Sequence, residues 1–341
     1  MKKLWSLALI TVLACALAFT GCASNPPETE ASAEPKPDVK VAWLLCGAEM
    51  RDQSNQSIWS GAEKFQSETD CEMKWYSAEN SLIAEDVIEQ IIRDGYKIII
   101  DNNGALNEKL IEKAKAHPDV VFASLECDMN TDGVSNLISA TIRSEESAFL
   151  AGYIAANRTT ANKVGFISGT DDMSAKPLVA GFKAGVDYAA AELNKEITIQ
   201  SDFVGNGYNR DGGYELATTM ANGGCDIFFV AVAGESGAGV LDALKTLNKP
   251  CVTIGNQALI APDQVLACVT KDNNVTAYEV AMGIYSGNMK GATSYSYGIS
   301  EGLAGYIKND AAQKHLGEEM IASLDMISEL ITKGTIKVPA K

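Results

Sequence analysis

The residues that could do chemistry in this chain sit in short runs of small polar side chains, and the densest lies within LLCGAEMRDQSNQSIWSGAEKF, residues 44–65. There Asp52, Ser54, Asn55 and Gln56 bring a carboxylate, a hydroxyl and two amides close together. Such groups donate and accept hydrogen bonds but supply no paired base and nucleophile for covalent catalysis. A second run, AGESGAG at 233–239, offers Gly234, Glu235 and Ser236 at the start of a helical pattern, where backbone N–H groups could bind hydroxyl or phosphate oxygens. It is not the GxGxxG fingerprint, and no acidic residue ends a following strand at the required distance, which argues against a dinucleotide enzyme. Asp171 and Asp172 in GTDDM are adjacent, so their carboxylates point in different directions and cap a helix or face water instead of forming a calcium cluster. With only His117 and His315, and with scattered cysteines, no zinc site or histidine-based catalytic set is expected. The chain reads as a binding protein without metal, cofactor or catalytic machinery.

The elements that must position these groups alternate. VKVAWLLC, CEMKWYS, YKIIID and DVVFASLE read as strands, and helical patterns at 55–68, 82–94 and 107–117 follow the first three. SNLISATI is a further strand, leading through Ser144, an N-cap candidate with Glu145 and Glu146 in the first turn, into EESAFLAGYIAANR. The alternation then restarts with KVGFISG, ITIQSDFVG, CDIFFVAVA and PCVTIG as strands and helices at 176–193, 211–222 and 237–247. Strand, helix and strand in repetition imply parallel sheets with helices on both faces. Two such halves joined by crossovers describe a bilobal α/β binding fold. Ligands of parallel sheets bind beyond the carboxyl ends of the strands. The first candidate loops are therefore 47–55, 101–104 with Asn103, 126–128 with Glu126, 169–173 with Asp171, 205–210 with Tyr208, 234–237, and 255–258 with Gln257.

The chain opens MKKLWSLALITVLACALAFTGCASN, with Lys2 and Lys3 ahead of an apolar run, which reads as a secretory signal over residues 1–21. Small residues before Cys22 match a bacterial lipobox, in which that thiol is lipidated and becomes the mature N-terminus. Residues 22–38 are polar and Pro-rich, a flexible linker. No later apolar segment is long enough to cross a bilayer, so the expectation is an extracytoplasmic body held to the membrane through its lipid anchor only. The 28 Lys and Arg stand against 44 Asp and Glu, a net charge of −16; losing Lys2 and Lys3 leaves 26 against 44, or −18. Nucleic acid is an improbable partner for such a surface. Cys225, Cys251 and Cys268 fall at or in apolar strands and are expected to be buried, although an even number of remaining cysteines leaves a disulfide open. His117 and His315 are expected at the solvated surface. The body of about 300 residues suits two domains.

At RDQSNQSIWSGAEKF, SEESAFLAGYIAANRTTANKVGFISGTDD, LVAGFKAGVDYA, FVGNGYNRDGGYELA, AGESGAGVLDALK and APDQVLACVTKDNNVTAYE, the chain resembles successive motifs of the basic membrane protein family. These are substrate-binding lipoproteins of ABC transporters, typified by the purine nucleoside receptor. The resemblance implies a type I periplasmic-binding-protein fold, with lobe one at 39–150 and 272–300 and lobe two at 151–271 and 301–341. It also implies a monomer that captures a nucleoside, a purine first, and hands it to ABC permease subunits; a sugar or other small-ligand receptor for uptake or signalling is the alternative. Carried over by residue, Arg51-Asp52 stands for the family's Asn-Asp pair and 54–57 for its Ser-aromatic-Asn-Gln-Ser, with the aromatic deleted. Tyr208 retains the aromatic of the other lobe, Lys271 stands for the cleft lysine, and Glu126 stands where an Asp is usual. Cys46 and Gln257 replace family acids, the second being the one that would hold ribose hydroxyls. Trp43, Trp59 and Met50 are the nearest replacements for the missing ring, with core packing the expected role of both tryptophans.

Overall fold

A computed structural model describes residues 39–46, 53–78, 81–102, 104–125, 128–171 and 173–341. The first part of the chain runs β1 (Lys40–Cys46), α1 (Gln53–Thr69), β2 (Glu72–Ala78), α2 (Ser81–Arg93), β3 (Ile98–Asp101), α3 (Asn107–Ala116), β4 (Val121–Leu125) and β5 (Leu137–Ile142). It continues with α4 (Ser144–Arg158), β6 (Lys163–Ser168), α5 (Ala175–Leu193), β7 (Thr198–Phe203), α6 (Arg210–Asn222), β8 (Ile227–Ala231), α7 (Gly234–Thr246), β9 (Cys251–Ile254) and β10 (Val265–Lys271). The last elements are α8 (Asn273–Tyr285), β11 (Thr293–Tyr297), β12 (Ala304–Tyr306) and α9 (Asp310–Thr332). Two sheets form, in the orders β11-β5-β4-β3-β1-β2 and β12-β10-β9-β8-β6-β7. Every pairing is parallel except β10 with β12.

Both sheets are covered on both faces, which is why their strands read as near-continuous apolar runs. Alternating side chains of β1 enter different cores. Val41, Trp43 and Leu45 pack with Ile58 and Phe65 of α1 and Val280 of α8, while Ala42 and Leu44 pack with Ile88 and Ile91 of α2. In β8 the same alternation sends Phe229 and Ala231 to one side and Phe228 and Val230 to the other. Helices α4 and α5 touch backbone to backbone: a Cβ at Gly181 would lie 2.1 Å from the Glu145 carbonyl oxygen, and one at Gly185 would lie 2.0 Å from that of Phe149. Ala148, Phe149 and Leu150 belong to the core of the second sheet, and the chain passes from β5 of the first sheet into α4 at Arg143.

Helix α4 starts at Ser144 itself. Arg143 occupies the cap position, with φ −70° and ψ 68°, and no side chain caps the helix. The reason is tertiary: the Arg143 N–H donates to the Tyr297 carbonyl at 2.6 Å, and its guanidinium bonds to the Ser296 carbonyl at 2.7 Å, Ser300 Oγ at 3.0 Å and the carboxylates of Glu146 at 2.6 Å and Glu301 at 2.8 Å. Burial opposes the Arg143 charge, but the two carboxylates hold its pKa above the ordinary arginine value. The Ser147 hydroxyl donates to the Thr270 carbonyl at 2.6 Å and accepts the Gly305 N–H at 2.8 Å. The three passages between sheets, after β5, β10 and β11, are thus tied together, and each leaves the carboxyl end of a strand.

Cys71, Cys225, Cys251 and Cys268 are free and buried; complete burial pushes the Cys251 thiol well above its ordinary pKa. His117 is half-buried at the surface. Its Nε2 lies 3.2 Å from the Glu89 carboxylate, which also pairs with the buried Lys113 at 2.7 Å, because α2 and α3 pack side by side. His315 is half-buried, with Nε2 3.0 Å from the Pro262 carbonyl oxygen.

Candidate functional site

On the first sheet the candidate site begins where β1 hands over to α1 and where β3 ends. Asn55, in the first turn of α1, is only 2% exposed, and its Oδ1 accepts a hydrogen bond from Nδ2 of Asn102 at 2.9 Å. Asn102 follows β3 directly; it is 8% exposed and its backbone N–H donates to the Leu44 carbonyl at 3.3 Å. Two amides are therefore buried at the carboxyl edge of a parallel sheet, the edge at which ligands bind. Gln56 is exposed one residue further along α1, and Ser54 lies in the same turn. Asp52, Asn103 and Glu126, with Arg51 and Cys22, lie outside the described residues.

Trp43 is fully buried in the core of the first sheet. Trp59 packs against that core and donates Nε1–H to the Glu63 carboxylate at 2.9 Å.

On the second sheet the loops after β6, β7, β8 and β9 meet at the carboxyl edge. Tyr208 is 62% exposed, and its backbone N–H donates to Asn206 Oδ1 at 2.8 Å in a tight turn. Asn209 caps α6 by accepting the Gly212 N–H at 2.9 Å. Beneath this loop sits Ser236, with no exposed surface; its hydroxyl donates to the Asn206 carbonyl at 2.7 Å and accepts the Asn209 N–H at 3.0 Å. The Ser236 N–H donates to the Gly207 carbonyl at 3.1 Å. Gly234 opens α7 in the left-handed region, at φ 66°, where a Cβ would press on that same carbonyl at 3.0 Å.

Several side chains expected to face a ligand are engaged with the protein. Ser236 braces the loop that carries Tyr208. Glu235 is largely exposed and pairs with Arg210 at 3.0 Å, which also pairs with Asp242 at 2.6 Å. Gln257 is 4% exposed, and its Nε2 donates to the carbonyls of Val232 at 3.1 Å and Ile254 at 2.8 Å, tying together the segments that follow β8 and end β9. Partners 25 to 30 residues away in the chain engage all three, and Gln257 adds a local bond to Ile254. Asp171 stands exposed in the loop after β6, and Lys271 is half-buried at the end of β10, one residue before the chain crosses to α8.

Sequence reasoning placed Asn102 within the candidate loop 101–104 but singled out Asn103 there, and the burial of the Asn102 amide went unmarked. It also missed Arg143, Glu146 and Ser147 at the crossings. Asp272, at the second crossing, has a carboxyl held above its ordinary pKa by burial. Among the described residues no group of acidic, His or Cys side chains could hold a metal ion, and no helix is long and apolar enough to cross a membrane.

Residues 39–341 match the family model described as Bmp, ABC transporter substrate-binding protein PnrA-like. Basic membrane protein A of Borreliella burgdorferi is 28% identical over 312 residues, covering 88% of both chains. Basic membrane protein D of the same species, strain JD1, is 31% identical over 254 residues, 73% of both chains. Among solved structures, an ABC transporter system solute-binding protein from Aeropyrum pernix K1 superposes with a TM-score of 0.78 at 19% identity, over 89% of this chain and 94% of that one, a likeness of fold.

Proposed function

The chain belongs to the Bmp family of PnrA-like ABC transporter substrate-binding proteins and has the periplasmic-binding-protein fold, and from this premise we propose that it captures a nucleoside, a purine first, between the carboxyl edges of its two sheets. The observation that carries this reading is Tyr208, an aromatic ring left 62% exposed on a loop that is itself braced from beneath by a buried hydroxyl. A base stacks on such a face, while fixed amides and carboxylates choose among its edges and the ribose hydroxyls. Asn55 and its loop neighbours Asp52, Ser54 and Gln56, with Asn103, Glu126, Asp171 and Lys271, supply those polar groups. Gln257, its amide nitrogen bonded to two carbonyls, acts as a brace in place of the family's ribose-binding acid.

A ligand touching both edges stabilises the closed state by its differential affinity, and the crossings tied by Arg143 and Ser147 are the hinge. The protein works outside the cytoplasm as a monomer, lipidated at Cys22, and passes its ligand to an ABC permease. The test is thermal shift and calorimetry on the intact soluble body with nucleosides, bases and sugars. A ligand at 100 times its dissociation constant adds about 2.7 kcal/mol to stability. A purine nucleoside that raises the melting temperature and titrates one to one supports the reading; a sugar that does so while every nucleoside fails replaces it with the sugar-receptor reading. Fatty-acid labelling that persists after Cys22→Ser would remove the anchor.

A further inference from the structure

Helix α5 carries two stripes of side chains. Leu178, Phe182 and Val186 recur every four residues and are buried in the core of the second sheet. Beside them, Lys176, Val179, Ala180, Lys183, Ala184 and Asp187 follow the same helical spacing and line a groove of about 650 Å³. Its other walls are Phe203 at the end of β7 and Pro339 and Lys341 in the segment after α9. β7 is the outermost strand of its sheet, so no further strand flanks the groove on that side.

The floor is apolar, with Val179, Ala184 and Phe203 half-buried against the core. The charges around it are uneven. Lys183 is paired with Asp187 one turn further along α5. Lys176, at the other end of the stripe, is exposed, and its Nζ lies 3.8 Å from the Met173 sulfur. Asp171 also lines the groove, yet among the described residues no carboxylate forms an ion pair with Lys176 or Lys341. A cavity of this size, apolar within and polar at its mouth, suits a small amphiphile. Lysines that lay their stems along such a floor and keep their ammonium groups at the mouth favour an anionic head. A second copy of a chain with net charge −16 is a poor occupant, because like charges repel.

We propose that the groove between α5 and β7 is a second binding site, for a single-chain amphiphile with a carboxylate head. The carboxylate meets Lys176, and the chain lies along Val179, Ala180 and Ala184. From Lys176 to Ala184 the helix rises roughly 12 Å, which a medium-length acyl chain spans. The inference does not depend on the nucleoside reading.

The experiment is calorimetric titration of the intact soluble body with hexanoate, octanoate, decanoate and decanol, each at monomeric concentrations and at about pH 8, where the carboxylate is ionised. Decanoate should bind one to one, and affinity should rise along the series by up to about fourfold per added methylene. Decanol should bind about fivefold more weakly than decanoate, the effect of a solvent-exposed ion pair. Lys176→Gln alters an exposed side chain, so it should leave the fold intact; it is expected to erase the difference between decanoate and decanol while keeping the dependence on chain length. Ala180→Phe fills the groove and should abolish binding of the whole series. Absence of saturable decanoate binding to the wild type overturns the proposal. Equal binding of decanol and decanoate to the wild type overturns the anionic class, and decanoate binding that survives Ala180→Phe places the ligand elsewhere. Concentration-dependent association in sedimentation, lost in Ala180→Phe, would give the groove to a second copy instead.

Discussion

At the amino end of the second sheet the Asp226 carboxylate accepts four hydrogen bonds, from the Thr159 hydroxyl at 2.6 Å, the Thr160 N–H at 2.7 Å and the Thr160 hydroxyl and Ala161 N–H at 2.8 Å. At the carboxyl end of the same sheet the Tyr208 ring is left 62% exposed. One end closes its polar groups on each other, and the other holds a large side chain out to solvent on a braced loop. The two ends share strands and cores, so the difference lies in the loops alone. It teaches where the sheet is stabilised and where it is kept available, a division that suits a protein whose ligand arrives at one edge.

The largest effect on stability should come from breaking the closed end. Asp226→Ala is expected to lower the unfolding free energy by about 2 kcal/mol, allowing for solvent at the exposed Thr160, and to leave nucleoside affinity unchanged. Urea unfolding beside calorimetric titration measures both. The pH dependence has a definite sign. Burial acts to raise the Asp226 pKa, but the bonds from Thr159, Thr160 and Ala161 outweigh it and hold the pKa below the usual 3.8. The carboxylate therefore contributes stability that is fully present above that value and is lost as pH falls through the lower folded-state value. The gap between wild type and Asp226→Asn should accordingly narrow below about pH 4. A drop in nucleoside affinity in either variant would break the division between the two ends.

The open end should answer in the opposite way. Tyr208→Ala is expected to lose about 1 to 3 kcal/mol of nucleoside affinity by removing a stacking face, with the apo unfolding transition unmoved. Tyr208→Phe, which keeps the ring, should retain most of that affinity. A lowered apo transition with unchanged affinity would make Tyr208 a packing residue and remove the contrast.

The parallel, doubly covered architecture was legible because β1 and β8 alternate which core they feed while remaining apolar throughout, so the strands show against helical periodicity on either side. The loops were legible as places, since ligand loops follow strand ends. Roles inside them were not. That Asn102 turns inward depends on how β3 ends, which the pattern DNN does not reveal. Ser144 carries a sound capping signal, yet the crossing at Arg143 overrides it. Ser236, Glu235 and Gln257 have the chemistry of ligand contacts, but partners about 25 to 30 residues away in the chain claim them, and single-chain patterns do not encode such pairings.

Ser236 is the position that sharpens the comparison most, because it lies at the open end but behaves like the closed one. Its hydroxyl is fully buried and bonds twice to the loop that carries Tyr208. Ser236→Ala leaves the Asn206 carbonyl and the Asn209 N–H without that partner, so apo stability should fall by about 1 kcal/mol. The backbone bond from the Ser236 N–H to Gly207 survives, so the loop loosens without being released. Nucleoside affinity should then fall by only about 0.5 kcal/mol, the smallest effect expected here. The origin of that loss is separable. If Ser236 acts on the ligand only through Tyr208, then in a Tyr208→Ala background the affinity loss from Ser236→Ala should vanish, while its stability loss remains and adds to whatever Tyr208→Ala causes. Additive affinity losses in the double variant would mean that the Ser236 hydroxyl reaches the ligand itself, and the open end would then bind through its floor as well as its ring.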